Sequence, residues 1–366
     1  MTTDNNLARA WTLPSNLYTD PQALVEEKDR VFARTWQVAG HVQQLGKPGD
    51  YITLELAGEP LLIVRDSAGQ LRGFYNVCRH RAGPPAEGCG SRKVFRCGYH
   101  GWTYSLEGKL LNAPEMEGTE DFRHDEFGLM PVRVEEWSGL VFVNLDHCAP
   151  SLLHTLGDLP RQAARFGFDR MRRFQRSEYV MECNWKTYID NFLEGYHLPS
   201  VHPGLNRELD YGQYVTETYA GYSRQLSPIR GGENAGDGPR RYQQRSGSDM
   251  AEYFWVFPNW MLNCYPDNVS LNVVLPLGAE RCVAIFEWFF PEAALATSLP
   301  QQTVDFSDAV QIEDGHICEV VQKNLRSRSY HRGRYSAKQE KCLHHFHTLY
   351  AQTMEPSVSS QKPSGR

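Results

Sequence analysis

The chain has 366 residues, more than one hydrophobic core usually supports, and its 41% hydrophobic and 22% charged residues fit a globular protein with two domains. The net charge of −6 gives no general attraction to nucleic acid, and no stretch approaches the run of about 20 apolar residues that a membrane span requires. The N-terminus does not resemble a signal peptide, so we expect a cytoplasmic protein whose nine cysteines stay reduced. Its spaced Cys residues are then better explained as ligands than as disulfides.

The first predicted element is a helix. Asp20 and Pro21 look like an N-cap and a first-turn proline, which predicts a helix that continues through Trp36 and ends near Gly40. We expect this N-terminal helical segment, residues 1–37, to pack on the catalytic domain that follows later in the chain.

A small β domain should come next, over residues 38–155. Short β-prone runs bounded by turn residues recur at 51–56, 60–65, 71–76 and 132–145. Between the third and fourth runs, residues 77–105 are rich in Gly, Pro, Arg and Cys. This pattern predicts a meander-like sheet that carries long loops.

The second domain should cover residues 156–366. Asn184 can cap a helix that runs to about His197, and Pro199 and Pro203 prevent its continuation. The polar, Gly-rich stretch 227–250 predicts a mobile loop. The remaining predicted elements are a strand over 173–182, aromatic-rich strands over 254–257, 260–265, 270–276 and 282–290, and helices around 303–326 and 337–353.

The strongest chemical signal is a set of two thiols and two imidazoles on two loops. Cys78 and His80 are followed, after sixteen residues, by Cys97 and His100. Two Cys on one iron and two His on the other would hold a Rieske cluster. A structural zinc site uses the same residue types, although paired zinc ligands are usually separated by two to four residues rather than one.

The residues around these ligands resemble the Rieske pattern of ring-hydroxylating oxygenases, which implies a [2Fe–2S] cluster. The resemblance rests on Tyr75-Asn76-Val77, Gly88 and Gly101-Trp102. The same loops are basic through Arg79, Arg81, Arg92, Lys93 and Arg96. Such charge either steers an acidic electron donor or is ordinary solvated surface.

A second motif, near the end of the predicted helix, resembles the iron site of the same family. It comprises Asn184-Trp185-Lys186, Asp190-Asn191, Glu194, Tyr196-His197 and His202-Pro203-Gly204. A turn after His197 can bring the His202 imidazole to the same face of a metal ion. Two His and one carboxylate would then leave neighbouring coordination positions open for O2.

Asp314 is the candidate for the third, anionic ligand. It falls within an apolar stripe of the predicted helix 303–326, where an unpaired carboxylate would be costly and a metal would satisfy it. A buried salt bridge, or a helix that is simply more exposed, is the alternative. The resemblance favours the ligand, because Glu313-Asp314 matches the Glu-Asp pair of the family, whose Asp binds iron.

Glu194 shares a helix face with His197 and could accept a hydrogen bond from its second ring nitrogen. In the family, the acidic residue here links a cluster ligand in one subunit to an iron ligand in the next. Glu194 would thus join His100 to His197 across a subunit boundary, in a head-to-tail ring that is typically a homotrimer. Asp190, one turn earlier, is a second candidate, with capping or surface polarity as the alternative.

The resemblance covers nearly the whole chain and is to the catalytic (alpha) subunit of Rieske-type non-haem iron oxygenases. It implies an α+β protein, with a small all-β Rieske domain and a helix-grip catalytic domain in which helices cover an antiparallel sheet. Electrons would come from a partner NAD(P)H-dependent reductase, since the chain has no Gly-rich dinucleotide fingerprint after a strand. O2 would be the oxidant at a mononuclear Fe(II).

The substrate prediction depends on one residue type. Glutamate at position 194, where many ring dioxygenases have Asp, is typical of the choline, carnitine and betaine oxygenase branch. This favours hydroxylation and N-demethylation of a quaternary ammonium compound, with a cation–π cage drawn from Tyr219, Tyr222, Phe254, Trp255, Trp260 and Tyr265. The alternatives are ring hydroxylation of an aromatic acid and, in a different class, a non-catalytic electron-transfer protein.

Overall fold

The chain, in a computed structural model that describes residues 4–230 and 249–355, forms two compact units. One unit is Phe32–Arg172, and the other combines Met1–Val31 with Arg173–Arg366. Within the described residues, no helix is both long and apolar enough to cross a membrane. The predicted α+β class is confirmed.

The first unit contains a seven-stranded antiparallel sheet in the order β1-β10-β9-β4-β3-β2-β5 and a three-stranded sheet in the order β6-β7-β8. The strands are Gln37–His41 (β1), Asp50–Leu56 (β2), Glu59–Arg65 (β3), Leu71–Tyr75 (β4), Cys89–Ser91 (β5), Phe95–Arg96 (β6), Thr103–Tyr104 (β7), Leu110–Asn112 (β8), Pro131–Trp137 (β9) and Leu140–Asn144 (β10). Two short helices follow, Leu152–Leu156 (α2) and Leu159–Ala163 (α3).

The predicted strands of this unit are confirmed, except that the run 132–145 forms two strands, β9 and β10. The predicted first helix is too long. Helix α1 covers only Pro21–Arg30, and the chain enters β1 at Gln37. Gln37 pairs with Val143, and the Trp36 indole donates a hydrogen bond to the carbonyl of Pro150 at 3.0 Å. Contacts more than a hundred residues away therefore override the local helical pattern.

The second unit is built on another seven-stranded antiparallel sheet, in the order β11-β17-β16-β15-β14-β13-β12. Its strands are Arg172–Met181 (β11), Val215–Thr218 (β12), Tyr222–Pro228 (β13), Met250–Val256 (β14), Trp260–Cys264 (β15), Val269–Gly278 (β16) and Arg281–Phe290 (β17). Its later helices are Trp185–Phe192 (α4), Leu198–Val201 (α5), Pro203–Glu208 (α6), Leu299–Leu325 (α7) and Lys341–Met354 (α8).

The aromatic-rich strands and the two late helices are confirmed, whereas strands β12 and β13 were not predicted. The predicted loop 227–250 begins and ends inside strands β13 and β14, and its part 231–248 lies outside the described residues. The Asn184 side chain caps α4 by accepting from the Lys186 amide at 2.9 Å, as predicted. Helix α4 ends at Phe192, however, before His197 is reached.

A buried ion pair anchors α4 to α1. The Lys186 ammonium lies 2.5 Å from the Glu27 carboxylate, and both side chains are fully buried. Glu27 also accepts hydrogen bonds from the Trp185 indole at 2.7 Å and the Tyr350 hydroxyl at 2.6 Å. These donors satisfy acceptor positions of the buried carboxylate that Lys186 leaves open.

Removing one partner of this pair should be costly. We expect Lys186→Met to lower the free energy of unfolding by about 3–5 kcal/mol, because Glu27 is left as an uncompensated buried charge. Urea denaturation followed by circular dichroism measures the loss. The double variant Glu27→Gln/Lys186→Met, which removes both charges, should recover part of it. An unchanged denaturation midpoint for Lys186→Met would contradict this description of the pair.

Candidate metal centres

The two predicted cluster loops have the same backbone form. In the first, the Cys78 amide donates to the Gly83 carbonyl and the Ala82 amide donates to the Cys78 carbonyl, at 2.9 and 3.0 Å. In the second, the Cys97 amide donates to the Trp102 carbonyl, and the Gly101 amide donates to the Cys97 carbonyl. Gly101 has φ +76, a value that glycine adopts at little cost. Both loops are therefore tight turns that fix the direction of their side chains.

The four predicted cluster ligands lie together at the tips of these turns. The Cys78 and Cys97 side chains are buried, and the His80 and His100 ring centroids are 4.5 Å apart. Local desolvation, with repulsion from His80 and Arg81, lowers the pKa of His100, which favours the neutral imidazole that a metal requires. The structure thus groups the four predicted residues.

His80 tests whether these residues suit a cluster. Its ring stacks on Trp102 with centroids 5.0 Å apart, and its Nδ1 is buried without a hydrogen-bond partner among the described residues. Buried ring nitrogens rarely remain unpaired, so this atom needs a ligand. An iron bound by Nδ1 would satisfy it, and the donor set fits a Rieske cluster.

His197, His202 and Asp314 form a second group. The Nε2 atoms of the two imidazoles are 3.1 Å apart, and Asp314 Oδ1 lies 2.9 Å from His202 Nε2 and 3.6 Å from His197 Nε2. Ligands about 2.1 Å from a metal at adjacent octahedral positions are separated by about 3.0 Å. The three atoms therefore fit one face of an octahedral ion.

A break in the helix brings these atoms together. After α4 the chain passes through Gly195, where a Cβ atom would lie 2.8 Å from the Tyr214 ring. His197 and His202 then flank the single turn of α5. The two prolines that were expected to end the helix occupy the first turns of α5 and α6 instead. Asp314 approaches from α7.

Each imidazole is oriented by its own carboxylate. Glu194 Oε1 lies 2.6 Å from His197 Nδ1, and Glu194 Oε2 accepts the His197 backbone amide at 3.0 Å. Glu313 Oε2 lies 2.7 Å from His202 Nδ1. Carboxylates in this position fix the ring orientation of metal-binding histidines. The prediction for Glu194 as a partner of His197 thus matches its position, whereas the role of Glu313 was missed.

The charges of the site agree with a cation site. Burial acts to raise the pKa of Asp314, but hydrogen bonds with His197 and His202 lower it to about 2. Burial acts to lower the pKa of His197, but hydrogen bonds with Asp314 and Glu194 raise it to about 9. Asp314 is therefore ionised, and a metal must displace a proton from the imidazole to bind.

Asn191 was part of the recognised motif and has a defined contact. Its side-chain amide donates to Asp314 Oδ1 at 2.5 Å, which restricts the rotation of the carboxylate. Asp190, by contrast, has described hydrogen bonds to other residues than the three candidate ligands. It accepts from the Tyr18 hydroxyl at 2.7 Å and contacts His347 Nε2 at 2.9 Å.

A cavity of about 110 Å³ lies beside the His197, His202 and Asp314 side chains. A cavity of about 150 Å³ binds benzene, so this smaller space limits the ligand to a small molecule. Seven aromatic residues that line it were not predicted: Tyr188, Phe192, Tyr214, Tyr253, Phe286, Trp288 and Phe306.

The predicted aromatic cage is wrong for five of its six members, because only Tyr265 lines this cavity. Phe254, Trp255 and Trp260 are buried in the core, and Tyr219 and Tyr222 stack on each other with centroids 4.4 Å apart.

Comparisons with known proteins agree with this arrangement. Residues 168–356 match the model of the ring hydroxylating alpha subunit (catalytic domain), and residues 35–123 match that of the Rieske [2Fe-2S] domain. The chain is 38% identical to the chloroplastic choline monooxygenase of Arabidopsis thaliana, over 94% of this chain and 83% of that protein. It is 33% identical to the carnitine monooxygenase oxygenase subunit of Escherichia coli (strain K12), over 96% of both.

Among solved structures, the chain resembles a quaternary ammonium Rieske monooxygenase. The TM-score is 0.87 with 28% identity, and the similarity covers 96% of this chain and 97% of the other.

Proposed function

Because the chain belongs to the Rieske-type ring-hydroxylating oxygenases, with a [2Fe–2S] cluster and a mononuclear iron, we propose that it hydroxylates a small quaternary ammonium compound with O2. One oxygen atom would enter a C–H bond and the other would leave as water, with two electrons and two protons supplied from outside. Hydroxylation of an N-methyl group would be followed by loss of formaldehyde. The observation that carries the proposal is the group of His197, His202 and Asp314 beside an aromatic cavity.

We assign the ligands as the sequence predicted: Cys78, His80, Cys97 and His100 for the cluster, and His197, His202 and Asp314 for the iron. When bound, the cluster supplies single electrons and the iron supplies a centre at which O2 is reduced. The orphaned His80 Nδ1 and the roughly octahedral separations of the other three ligand atoms support this assignment.

The residues around the candidate iron site have separable tasks. Glu194 and Glu313 hold the Nδ1 sides of the two imidazoles, so that both Nε2 atoms face one point. Asn191 fixes the orientation of Asp314. The aromatic walls exclude water from the place where the substrate is held, which strengthens the electrostatic contacts made there.

The charge of the cavity favours a cation over an aromatic acid. Glu194 and Asp314 line it, and its described lining includes no Lys or Arg side chain. Aromatic faces attract an ammonium group by about 0.5–2 kcal/mol each. A carboxylate substrate would find no such cationic side chain to pair with in the described lining. These contacts support a quaternary ammonium substrate, as the names of the similar proteins suggest.

The electron supply is part of the proposal. A separate NAD(P)H-dependent reductase would reduce the cluster, and Glu194 would link His197 to His100 of the partner subunit in a homotrimer. The hydrogen bond between Glu194 and His197 provides one half of that link. Asp190 is retained as a positioning residue one turn before Glu194, held by Tyr18 and His347.

We also propose the domain boundaries that the sequence predicted, with the Rieske domain at 38–155 and the catalytic domain at 156–366. The grouping of Met1–Val31 with Arg173–Arg366 supports packing of the N-terminal segment, 1–37, on the catalytic domain. The cytoplasmic location stays a prediction, and the curated plant relatives are called chloroplastic.

A single turnover of the reduced, iron-replete protein tests the function. We expect oxidised product from trimethylammonium compounds and none from aromatic acids, because the cavity attracts cations. Formaldehyde indicates attack on an N-methyl group, and a new aldehyde or alcohol indicates attack on the substrate chain. Ring hydroxylation of an aromatic acid, with no reaction of any ammonium compound, would overturn the proposal.

A further inference from the structure

Two asparagine side chains that line the cavity carry buried amide atoms without a hydrogen-bond partner among the described residues. Asn272 is fully buried, and neither its Oδ1 nor its Nδ2 has a hydrogen-bond partner among the described residues. Asn263 Oδ1 is likewise buried without a partner in that part of the chain. Both residues line the cavity beside the three candidate iron ligands. Buried polar atoms are nearly always paired, so this unused capacity points to a ligand.

The strand register explains why both amides face the cavity. Asn263 on β15 lies opposite Tyr253 on β14 and Ser270 on β16, and Asn272 on β16 lies opposite Phe286 on β17. Directly opposed residues of antiparallel strands present their side chains to the same face. Tyr253, Ser270 and Phe286 all line the cavity as well. The two amides therefore form a polar patch with Ser270, next to the aromatic side chains of Tyr253 and Phe286.

The unused atoms are one donor group and two acceptor oxygens. An alcohol donates one hydrogen bond and accepts others, so it can use both atoms of Asn272. A carboxylate only accepts, so it could use the single amide donor of Asn272 but neither amide oxygen, and the described lining offers it no Lys or Arg side chain. The chemistry of the patch thus matches a hydroxyl group better than a carboxylate.

We propose that Asn272, with Asn263, selects quaternary ammonium alcohols over quaternary ammonium carboxylates. The aromatic walls hold the ammonium group, and the amide patch binds the hydroxyl group. The inference rests on the proposed function and adds the second functional group of the substrate.

Calorimetric titration of the anaerobic holoenzyme provides the test, because it measures binding without turnover. The ligands are choline, tetramethylammonium, which lacks the hydroxyl group, and trimethylglycine, which carries a carboxylate instead. We expect choline to bind at least about tenfold more tightly than either, since a site built to hydrogen-bond a hydroxyl group rejects analogues without one.

The variant Asn272→Leu keeps the approximate volume of the side chain and removes both amide atoms. We expect choline affinity to fall about tenfold or more, to the level of tetramethylammonium, whose own affinity stays unchanged. Iron content and circular dichroism verify folding, and Asn263→Leu replaces this variant if it does not fold.

The possible failures are distinct. If trimethylglycine binds more tightly than choline, or if Asn272→Leu weakens choline and tetramethylammonium equally, the amide patch does not select alcohols, although the proposed function stands. If none of the three ligands binds, the proposed function itself fails.

Discussion

With both metal centres loaded, Glu194→Gln is expected to oxidise substrate about 10–100-fold more slowly. Glu194 lies 2.6 Å from His197 Nδ1 and holds the backbone amide of the same residue. Glutamine preserves the shape and one acceptor but removes the charge, and with it the proposed link to His100 of the partner subunit. In the loaded protein, the loss should thus appear in electron delivery.

Rapid mixing separates these two effects. Reduced protein is mixed with O2 and substrate, and the visible spectrum of the cluster follows its reoxidation, while iron analysis follows metal content. The wild-type protein should reoxidise at the rate of product formation. In iron-loaded Glu194→Gln we expect slow reoxidation. Turnover that is undiminished would contradict the relay.

The chain offers a matched control in Glu313→Gln. Glu313 contacts His202 Nδ1 at 2.7 Å, almost the same interaction on the other imidazole. Loss of such a carboxylate commonly costs about 10–100-fold in metal affinity. Both variants lose one such carboxylate, so Glu313→Gln should also weaken iron binding, but its cluster reoxidation should stay normal in those molecules that hold iron. If the two variants behave alike, Glu194 only orients its histidine.

The candidate ligands could be predicted because they follow short sequence spacings or the periodicity of a helix. Cys78 and His80 are separated by one residue, and His197 and His202 lie on either side of Pro199, which predicts a break in the helix. Asp314 required a resemblance in addition, because its helix face also carries buried polar side chains such as Gln311 and Gln322. Spacing limits which residues can meet, and the known family pattern selected among them.

The wall of the cavity could not be predicted in the same way. Tyr253 faces the cavity and Phe254, its neighbour in sequence, does not, because successive residues of a strand point to opposite faces. Which face is which depends on the pairing of β14 with β13 and β15. Likewise, nothing near Trp36 in sequence reveals that Gln37 will pair with Val143.

Glu313 shows the same limit within a helix. It is adjacent to Asp314, yet the two side chains contact different atoms of His202: Glu313 meets Nδ1 and Asp314 meets Nε2. The pattern of α7 alone does not place a histidine between them.

Asp314→Asn should abolish turnover by removing the mononuclear iron. We expect iron analysis to fall from about three atoms per chain to about two, with the spectrum of the cluster unchanged. Asparagine has the shape of aspartate, but two imidazoles with a neutral amide lack the anionic ligand that this type of site requires. Because the pKa of Asp314 is lowered to about 2, the wild-type side chain is an anion at every working pH.

Asp305→Asn is the control, because Asp305 is exposed on the same helix. The one side-chain hydrogen bond described for it comes from the Gln301 amide. It should retain all three irons and full activity. A third iron that persists in Asp314→Asn would remove Asp314 from the ligand set. A wild-type protein with only two irons, both in the cluster, would instead support the electron-transfer alternative. The iron count therefore separates an error in one ligand from an error in the proposed reaction.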